Sequence, residues 1–494
     1  MIYPFWDVPF GYGVLMGVIA VLHVFVSHFA IGGGLYLVMT ERRAVRAGDV
    51  VTLEFLQRLS KFFVLVTLVF GALSGVGIWF IIGLLNPTAT EALIHNFVWG
   101  WAIEWTFFVI EITAAIIYYY TWKRLAPREH MIVGWIYFAA AWLSLVIING
   151  IITFMLTPGQ WLQNGAFWTG FFNPTYWPSL VLRTGVCVML AGLYALLVAS
   201  RYEAGDFKAS LVRYTTRWGI VGLVVVALSE WWYWKAIPVE VTAKAVQVMP
   251  TPMQAWHQNI WLAAALGVLL VVFGLVMARR LSSVVAAVLM ALGLLWFGAF
   301  EMFRESIRKP FIVTGYIYGN GALVAKTAQY QKDGFLSEIH YKTGDEGADL
   351  FRHACRSCHT LTGYKPLKPV FDGTDKKFIA GVIRSARFIK GNMPPFLGTP
   401  SEAEKIAAYL DVHIDHAPIT DGARAYRVRC AICHPLGTTH DKSKSFNGQS
   451  VADLGNMLDL LPVLSKDMPA YTGGAAERAL LISYLQQLGK QVKP

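Results

Sequence analysis

Charge is scarce in this chain. Asp, Glu, Lys and Arg make up 15% of its 494 residues, against about 25% in a soluble globular protein. Hydrophobic residues reach 55% and aromatic residues 14%, a balance that points to a bilayer and leaves room for several domains. Cysteine is rarer still. There are five; four fall in two short motifs, and Cys187, alone in an apolar run, reads as a buried, inert thiol. The N-terminus lacks the basic flank and small-residue cleavage site of a secretory signal. The first charges after its apolar stretch are Glu41, Arg42 and Arg43, so the first helix is expected to stay in the membrane. Acidic residues are outnumbered 31 to 42, a net charge of +11. Nucleic acid is not implied as a partner, because the excess follows a loop pattern typical of membrane proteins.

Apolar runs long enough to cross a bilayer, about 20 residues each, lie at Tyr12–Thr40, Phe62–Leu85, Phe97–Trp122, Met131–Leu156, Pro178–Ala199, Trp218–Trp234, Ile260–Ala278 and Ser282–Phe303. One set of connections carries Arg42, Arg43, Arg46, Arg58 and Lys61, then Lys123, Arg124 and Arg128, then Arg201, Lys208, Arg213 and Arg217, then Arg279 and Arg280. The alternate connections Asn86–Asn96 and Thr157–Trp177 hold no Lys or Arg, and Lys235–Asn259 holds only Lys235 and Lys244. By the positive-inside rule the N-terminus lies outside, and an even number of crossings puts the C-terminal part outside too. The expected location is a bacterial cytoplasmic (inner) membrane, with the C-terminal part on the periplasmic side.

No run beyond Phe303 could span. Residues 312–343 read as a linker, followed by two similar modules at 344–416 and 417–494. Each starts with a short helix running into a cysteine motif (Glu346–Ala354, Gly422–Arg429) and ends in an amphipathic helix (Glu402–His413, Ala475–Leu488). The expected fold class is all-α: a polytopic helical bundle over residues 1–311, then two small α domains.

The motifs are Cys355-Arg-Ser-Cys358-His359 and Cys430-Ala-Ile-Cys433-His434. Two thiols three residues apart reach both vinyl groups of one porphyrin, and the adjacent histidine then sits under the iron, so C-x-x-C-H reads as c-type haem attachment. C-x-x-C also occurs in zinc sites and redox disulfides. Downstream sequence argues against both: Met393-Pro394 and Met468-Pro469 each fall between the cysteines and the last helix. Class I cytochromes c place the sixth iron ligand in such a context, and both modules resemble that family. The resemblance implies His359 and Met393, and His434 and Met468, as iron ligands of two covalent haems c, a ligation that raises the reduction potential. Haem c is attached outside the cytoplasm, in agreement with the charge-derived topology.

Ionisable residues inside membrane helices are costly and mark candidate sites. They are His23, His28, Glu104, Glu111, Arg183, Glu230, Glu301 and Glu305. Glu104 and Glu111 are close to two helical turns apart, on one face and about 10 Å from each other. They suit proton delivery or haem contact, or are simply protonated, hydrogen-bonded acids. His23 and His28 point about 140° apart, so they cannot serve the same iron face; His28 fits a satisfied core histidine.

His23 with Gly32 and Thr40-Glu41, Ala102-Ile103-Glu104 with Glu111 and Trp122, His130-Met131 with Asn149-Gly150, and Glu305-Ser-Ile-Arg308-Lys309-Pro310-Phe311 follow one another in the order and spacing of a known family. Over roughly Met1–Phe311 the chain resembles subunit I of cytochrome bd-type oxidases. The resemblance implies His23 as ligand of one high-spin haem and Glu305 as ligand of another, of b or d type. It also implies Glu104 and Glu111 beside them, Arg308 as a haem contact, and a subunit II-like membrane partner. The departures are equally specific. Arg183 stands where the family's low-spin haem takes a helix 5 histidine, and guanidinium cannot coordinate iron. It would instead pair with a haem propionate or a carboxylate. Helix 7 has Trp261 near the expected methionine, the quinol-binding loop is short, and His257 is the one nearby substitute ligand.

These readings make the chain an oxidoreductase, subunit I of a complex. Electrons from a soluble or membrane cytochrome c would pass through the haems c to a high-spin site that reduces oxygen to water. The alternatives are a module that oxidises quinol and exports electrons through the haems c, and a sensor relative without turnover. Direction of flow, haem b or d, and oxygen or nitric oxide as acceptor are open at this level. Reporter fusions after Gly48 and after Pro494 should give opposite sidedness; equal sidedness would refute the eight-helix topology.

Overall fold

The structure, a computed structural model, describes residues 6, 8–242, 250–389, 393–438 and 440–491, the side chains of 250–257 excepted. Among the described residues, eight helices are long and apolar enough to cross a membrane. They are α1 (Tyr12–Ala47), α2 (Val50–Leu85), α3 (Val98–Tyr120), α4 (Pro127–Leu156), α5 (Tyr176–Ala199), α6 (Asp206–Ala236), α7 (Pro250–Leu269, continued by a π-helical stretch to Val276) and α8 (Ser283–Arg308). The chain is thus a multi-pass membrane protein. Three expected starts move by ten residues or more, those of α2, α6 and α7. α2 begins at Val50, where the Asp49 carboxylate accepts from the Thr52 amide at 2.9 Å and caps the helix,. α6 begins at Asp206 because its polar first turns are stabilised locally: Lys208 donates to the carbonyls of Ser200 and Tyr202 at 2.8 and 2.9 Å. An apolar window passes over both.

α5 is the most deeply buried span. Apart from Arg183 and two hydroxyl side chains near it, Ser179 and Thr184, its buried face is apolar, as in a helix enclosed by others,, and close approach to its neighbours rests on glycine. A Cβ on Gly32 of α1 would lie 1.8 Å from the Cys187 carbonyl oxygen, and one on Gly222 of α6 would lie 2.3 Å from the Met189 nitrogen. Small residues at such crossings let backbones meet and raise the packing contacts that hold helices together in lipid. The Cys187 side chain is buried in this seam. At the arginine-rich end, Glu41 ties three helices. Its carboxylate lies 2.7 Å from His130 Nδ1 and accepts from the Tyr118 hydroxyl at 2.7 Å.

At the opposite end α8 runs into a two-stranded antiparallel hairpin, β1 (Phe311–Val313) and β2 (Ile317–Tyr318). The segment expected as a linker is folded. Tyr318, Tyr330, Phe335 and Ile339 join the hydrophobic core of the first module, and the Glu402 carboxylate accepts from the amides of Phe335 and Leu336 at 2.9 and 2.8 Å. Its apolar residues follow no helical or strand period, so periodicity does not reveal them.

The two modules repeat one plan. In the first, α9 (Glu346–Ala354) crosses α11 (Pro400–Asp411), with α10 (Lys376–Arg384) beside them. In the second, α12 (Gly422–Arg429) crosses α14 (Ala475–Gln491), with α13 (Val451–Asp459) alongside. Each crossing turns on a glycine eight residues before the first motif cysteine: Gly347 meets Lys405 and Tyr409, and Gly422 meets Leu480 and Tyr484. The first module docks on the bundle, where the Tyr364 amide donates to the Phe10 carbonyl at 3.1 Å and Asn86 donates to the Gly319 carbonyl at 3.1 Å. The second docks on the first through Arg424 to Asp372 at 2.9 Å and Arg429 to Asp375 at 3.4 Å.

Gly222→Ala is expected to destabilise the bundle by about 1–3 kcal/mol through overpacking. Gly17→Ala, where nothing lies within 4 Å, should leave it unchanged. Thermal unfolding of both variants in detergent checks this.

Candidate functional site

The two C-x-x-C-H motifs follow α9 and α12 directly. All four motif cysteines are free thiols. Burial, with each partner thiol adding to it, pushes Cys355 and Cys430 up to about 12. A redox-active C-x-x-C pair needs a lowered thiol pKa, so that alternative loses support. Nor, among the described residues, do three His, Cys, Asp or Glu side chains converge as a metal-binding group, which argues against zinc.

Both histidines of the motifs are held alike. His359 Nδ1 lies 3.1 Å from the Lys365 carbonyl, and His434 Nδ1 lies 3.1 Å from the His440 carbonyl. Burial lowers both imidazoles below the usual histidine range, so they are neutral at pH 7. The Nδ1 proton is then spent on the carbonyl and the Nε2 lone pair stays available, the state in which imidazole ligates a metal. Met393 and Met468 lie on the loops before the last helix of each module, both half-buried. The residues present therefore fit haem c.

Between the modules, Arg429 is a residue that sequence reading passed over. It adjoins Cys430 and is nearly buried, with Glu477 at 2.8 Å in its own module. Its guanidinium lies 4.9 Å from the ring centroid of Phe378 in the other module, within cation–π range. Gly381 packs against Pro469, the neighbour of Met468. Each motif region of the second module thus faces the first.

In the membrane domain, His23 on α1 places Nδ1 3.1 Å from Ser74 Oγ on α2. The Ser74 hydroxyl donates to the Phe70 carbonyl at 2.6 Å, so its one proton is used and His23 Nδ1 is the donor. Nε2 is left with a free lone pair. A Cβ on Gly75 would stand 3.1 Å from the ring, so glycine makes room for it. The π-helical stretch Leu65–Gly71 ends just before these residues, and such stretches often mark functional sites. No sequence signal singled out Ser74.

His28 differs. Its Nδ1 donates to the Val24 carbonyl at 2.8 Å, and its Nε2 accepts from Arg183 at 3.3 Å. Both nitrogens are committed within the protein. Arg183 also donates to Glu301 at 2.7 Å, and Glu301 accepts from Arg304 at 3.0 Å. Arg183, expected where the resembled family has a low-spin haem ligand, is thus held in an ion pair, and a guanidinium does not fit as a ligand of that haem,. The side chain of His257 lies outside the described residues.

Glu104 and Glu111 both face α4. Ser144 donates to Glu104 at 3.1 Å, and Tyr137 to Glu111 at 3.1 Å. Tyr137 also lies 3.0 Å from the Ala30 carbonyl of α1, so one phenolic proton has two acceptors. Glu305 pairs with Arg308, one turn on, and Arg308 donates to the Ile312 carbonyl at 2.6 Å. His23, the α3 acids and Glu305 make no direct hydrogen bonds to one another; they line separate helix contacts. The first module sits over the Glu305 end: the Gly319 amide donates to Pro310 at 2.8 Å, and Cys358 Sγ is 3.8 Å from a Cβ placed on Gly319. Glu230 is buried on α6 with Oε1 unpartnered.

Comparison with known proteins finds two family matches, and the second module lies in neither. Residues 14–244 match the family described as cytochrome bd terminal oxidase subunit I. Residues 342–410 match the family described as cytochrome C oxidase, cbb3-type, subunit III. The first match stops before α8, so Glu301, Glu305 and Arg308 lie beyond it. A bd oxidase structure from Geobacillus thermodenitrificans is similar in fold, with a TM-score of 0.55 and 16% identity over 67% of this chain and 94% of that one. No curated protein matches the chain.

Intact mass after denaturation should show two covalent haems. Replacing Cys430 and Cys433 by Ala should remove one of them. A wild-type mass with one haem or none would rule out the paired assignment.

Proposed function

We propose, from the premise that this chain joins a cytochrome bd terminal oxidase subunit I domain to a cytochrome c domain of the cbb3 subunit III type, that it is the catalytic subunit of a terminal reductase fed through its C-terminal modules. A respiratory electron-transfer role follows from the two domain types. The finer reading assigns direction, acceptor and residues. The second module receives electrons from a cytochrome c donor on the periplasmic face and passes them to the first. The first delivers them to the membrane domain, and oxygen is reduced to water. A subunit II-like partner completes the complex.

The observation that carries this reading is the seating of the first C-x-x-C-H motif over the α8 end that bears Glu305. Haem bound at the two motifs and at the membrane site would carry electrons inward and bind the acceptor. His23, with Nδ1 anchored on Ser74, would hold one high-spin haem through Nε2, and Glu305 would hold the other through its carboxylate. Both are oriented by a second partner, as ligands to metals usually are. Glu104 and Glu111 hold protons beside α4 for the reaction, with Tyr137 linking Glu111 to α1. The paired histidine and methionine of each module support a high potential, suited to accepting electrons from a soluble cytochrome. Arg183, locked to Glu301, removes the quinol-side haem position. That weighs against the export reading.

Oxygen uptake by the purified complex tests the direction. Reduced cytochrome c, or ascorbate with a mediator, should sustain it, and a quinol analogue alone should not. His23→Ala should abolish uptake while both covalent haems remain reducible. Quinol reducing those haems with no oxygen consumed from either donor would overturn the proposal in favour of electron export.

A further inference from the structure

The ion pair on α8 leaves a charge unmatched. Arg183 and Arg304 share one carboxylate, Glu301, at 2.7 and 3.0 Å. His28 adds no negative charge, since its neutral ring accepts a hydrogen bond from Arg183 and donates one to the Val24 carbonyl. Glu305, the next carboxylate on α8, is committed to Arg308. The cluster therefore holds two guanidinium groups against one carboxylate. Arg183 is only 1% exposed, and an uncompensated buried charge is strongly destabilising.

Hydrogen-bond accounting gives the same answer independently. Arg183 Nε, Arg304 Nη1 and the Tyr233 hydroxyl are buried and have no partner among the described residues. Tyr233 of α6 interacts electrostatically with both guanidinium groups. Buried donors in native proteins are nearly always satisfied, and an exception calls for an ion or group that completes it. What is missing is an acceptor carrying negative charge. Glu230, one turn from Tyr233, does not supply it, because its Oε1 makes no hydrogen bond.

Arg183 and Glu301 each lie seven residues from the module end of their helices, roughly 10 Å below it. That is beneath the first module and on the helix that carries Glu305. We infer that Arg183 and Arg304, with the Tyr233 hydroxyl, clamp a carboxylate group of the membrane haem, a propionate, and that Glu301 sets the residual charge felt by that haem. Guanidinium forks suit this task, because two parallel donors match a carboxylate. The inference rests on the proposed haem site and adds to it the residues that tune its potential. The bundle holds a fixed positive charge there, and that charge favours the reduced haem.

The test is a spectroelectrochemical titration of the non-covalent haem in the complete complex, with haem content measured alongside. Arg304→Gln removes a positive charge and should lower the reduced-to-oxidised ratio at a fixed potential about tenfold, a shift of about 59 mV for one electron. Glu301→Gln removes the opposing charge and should raise the ratio by a similar factor. Arg304→Lys keeps the charge and should leave the ratio within about twofold. The opposite signs separate a charge effect from loosened packing, which would move both neutralising variants the same way. Excess formate should leave the wild-type titration unchanged; a formate-dependent shift would mark a site for a free small anion and overturn the propionate assignment. Haem retained with no shift in either neutralising variant, or with both shifting together, overturns the inference alone. A wild-type complex without non-covalent haem overturns the proposed function and this inference with it.

Discussion

Arg183 carries a charge that no physiological pH removes, and it carries it among apolar helices where water cannot dilute it. Everything around it answers to that. Glu301 stands opposite at 2.7 Å, His28 offers its ring nitrogen, and α1, α5 and α8 are drawn to one point. The same constraint decides chemistry. A family that places a haem ligand on helix 5 has room for a low-spin haem there. An arginine in that place needs a counter-charge, and the counter-charge takes the space. His23 keeps Nε2 free while Nδ1 is held by Ser74, whereas both ring nitrogens of His28 are taken by Val24 and Arg183. In the proposed function, this one residue on α5 would bear on cofactor number and, with it, on where electrons enter.

On the proposed reading, electrons would enter through the modules, and the docking of the modules would supply the route. The second module leans on the first through Arg429, Asp375 and Phe378. The first leans on the bundle through Tyr364 and Phe10, with its motif above the end of α8. Rigid contacts of this kind fix the spacing between sites. A tethered domain on a flexible linker would leave it to diffusion, whereas here the segment expected as a linker with short structure is built into the first module's core.

Much of this was legible in the residues. The eight spans follow from length and hydropathy, and the C-x-x-C-H motifs with their Met-Pro loops identify the modules, because each pattern is dictated by local chemistry. The seven-residue spacing of Glu104 and Glu111 correctly places both against one neighbouring helix. What escaped was set by distant partners. Ser74 looks like any serine, yet it fixes the His23 tautomer because its own proton goes to Phe70. Arg304 looks like a helix-end arginine, yet it shares Glu301 with Arg183 from across the bundle. The linker's Tyr318, Tyr330 and Phe335 carry no period, and only the tertiary fold shows what they cover. The starts of α2 and α6 moved because side chains hold polar first turns there, Asp49 at one and Lys208 at the other.

The loops that follow the two motif histidines have a property of their own. Each ring is steadied by a main-chain carbonyl six residues ahead, at Lys365 in one module and at His440 in the other. A carbonyl is common to every amino acid, so the side chains in these loops are free to vary, as the unlike residues at the two positions already illustrate. Their length is not free. Adding or deleting one residue would carry the acceptor away from Nδ1 and let the ring turn, even with every motif residue intact. The loop acts as a ruler, measuring distance while remaining indifferent to spelling.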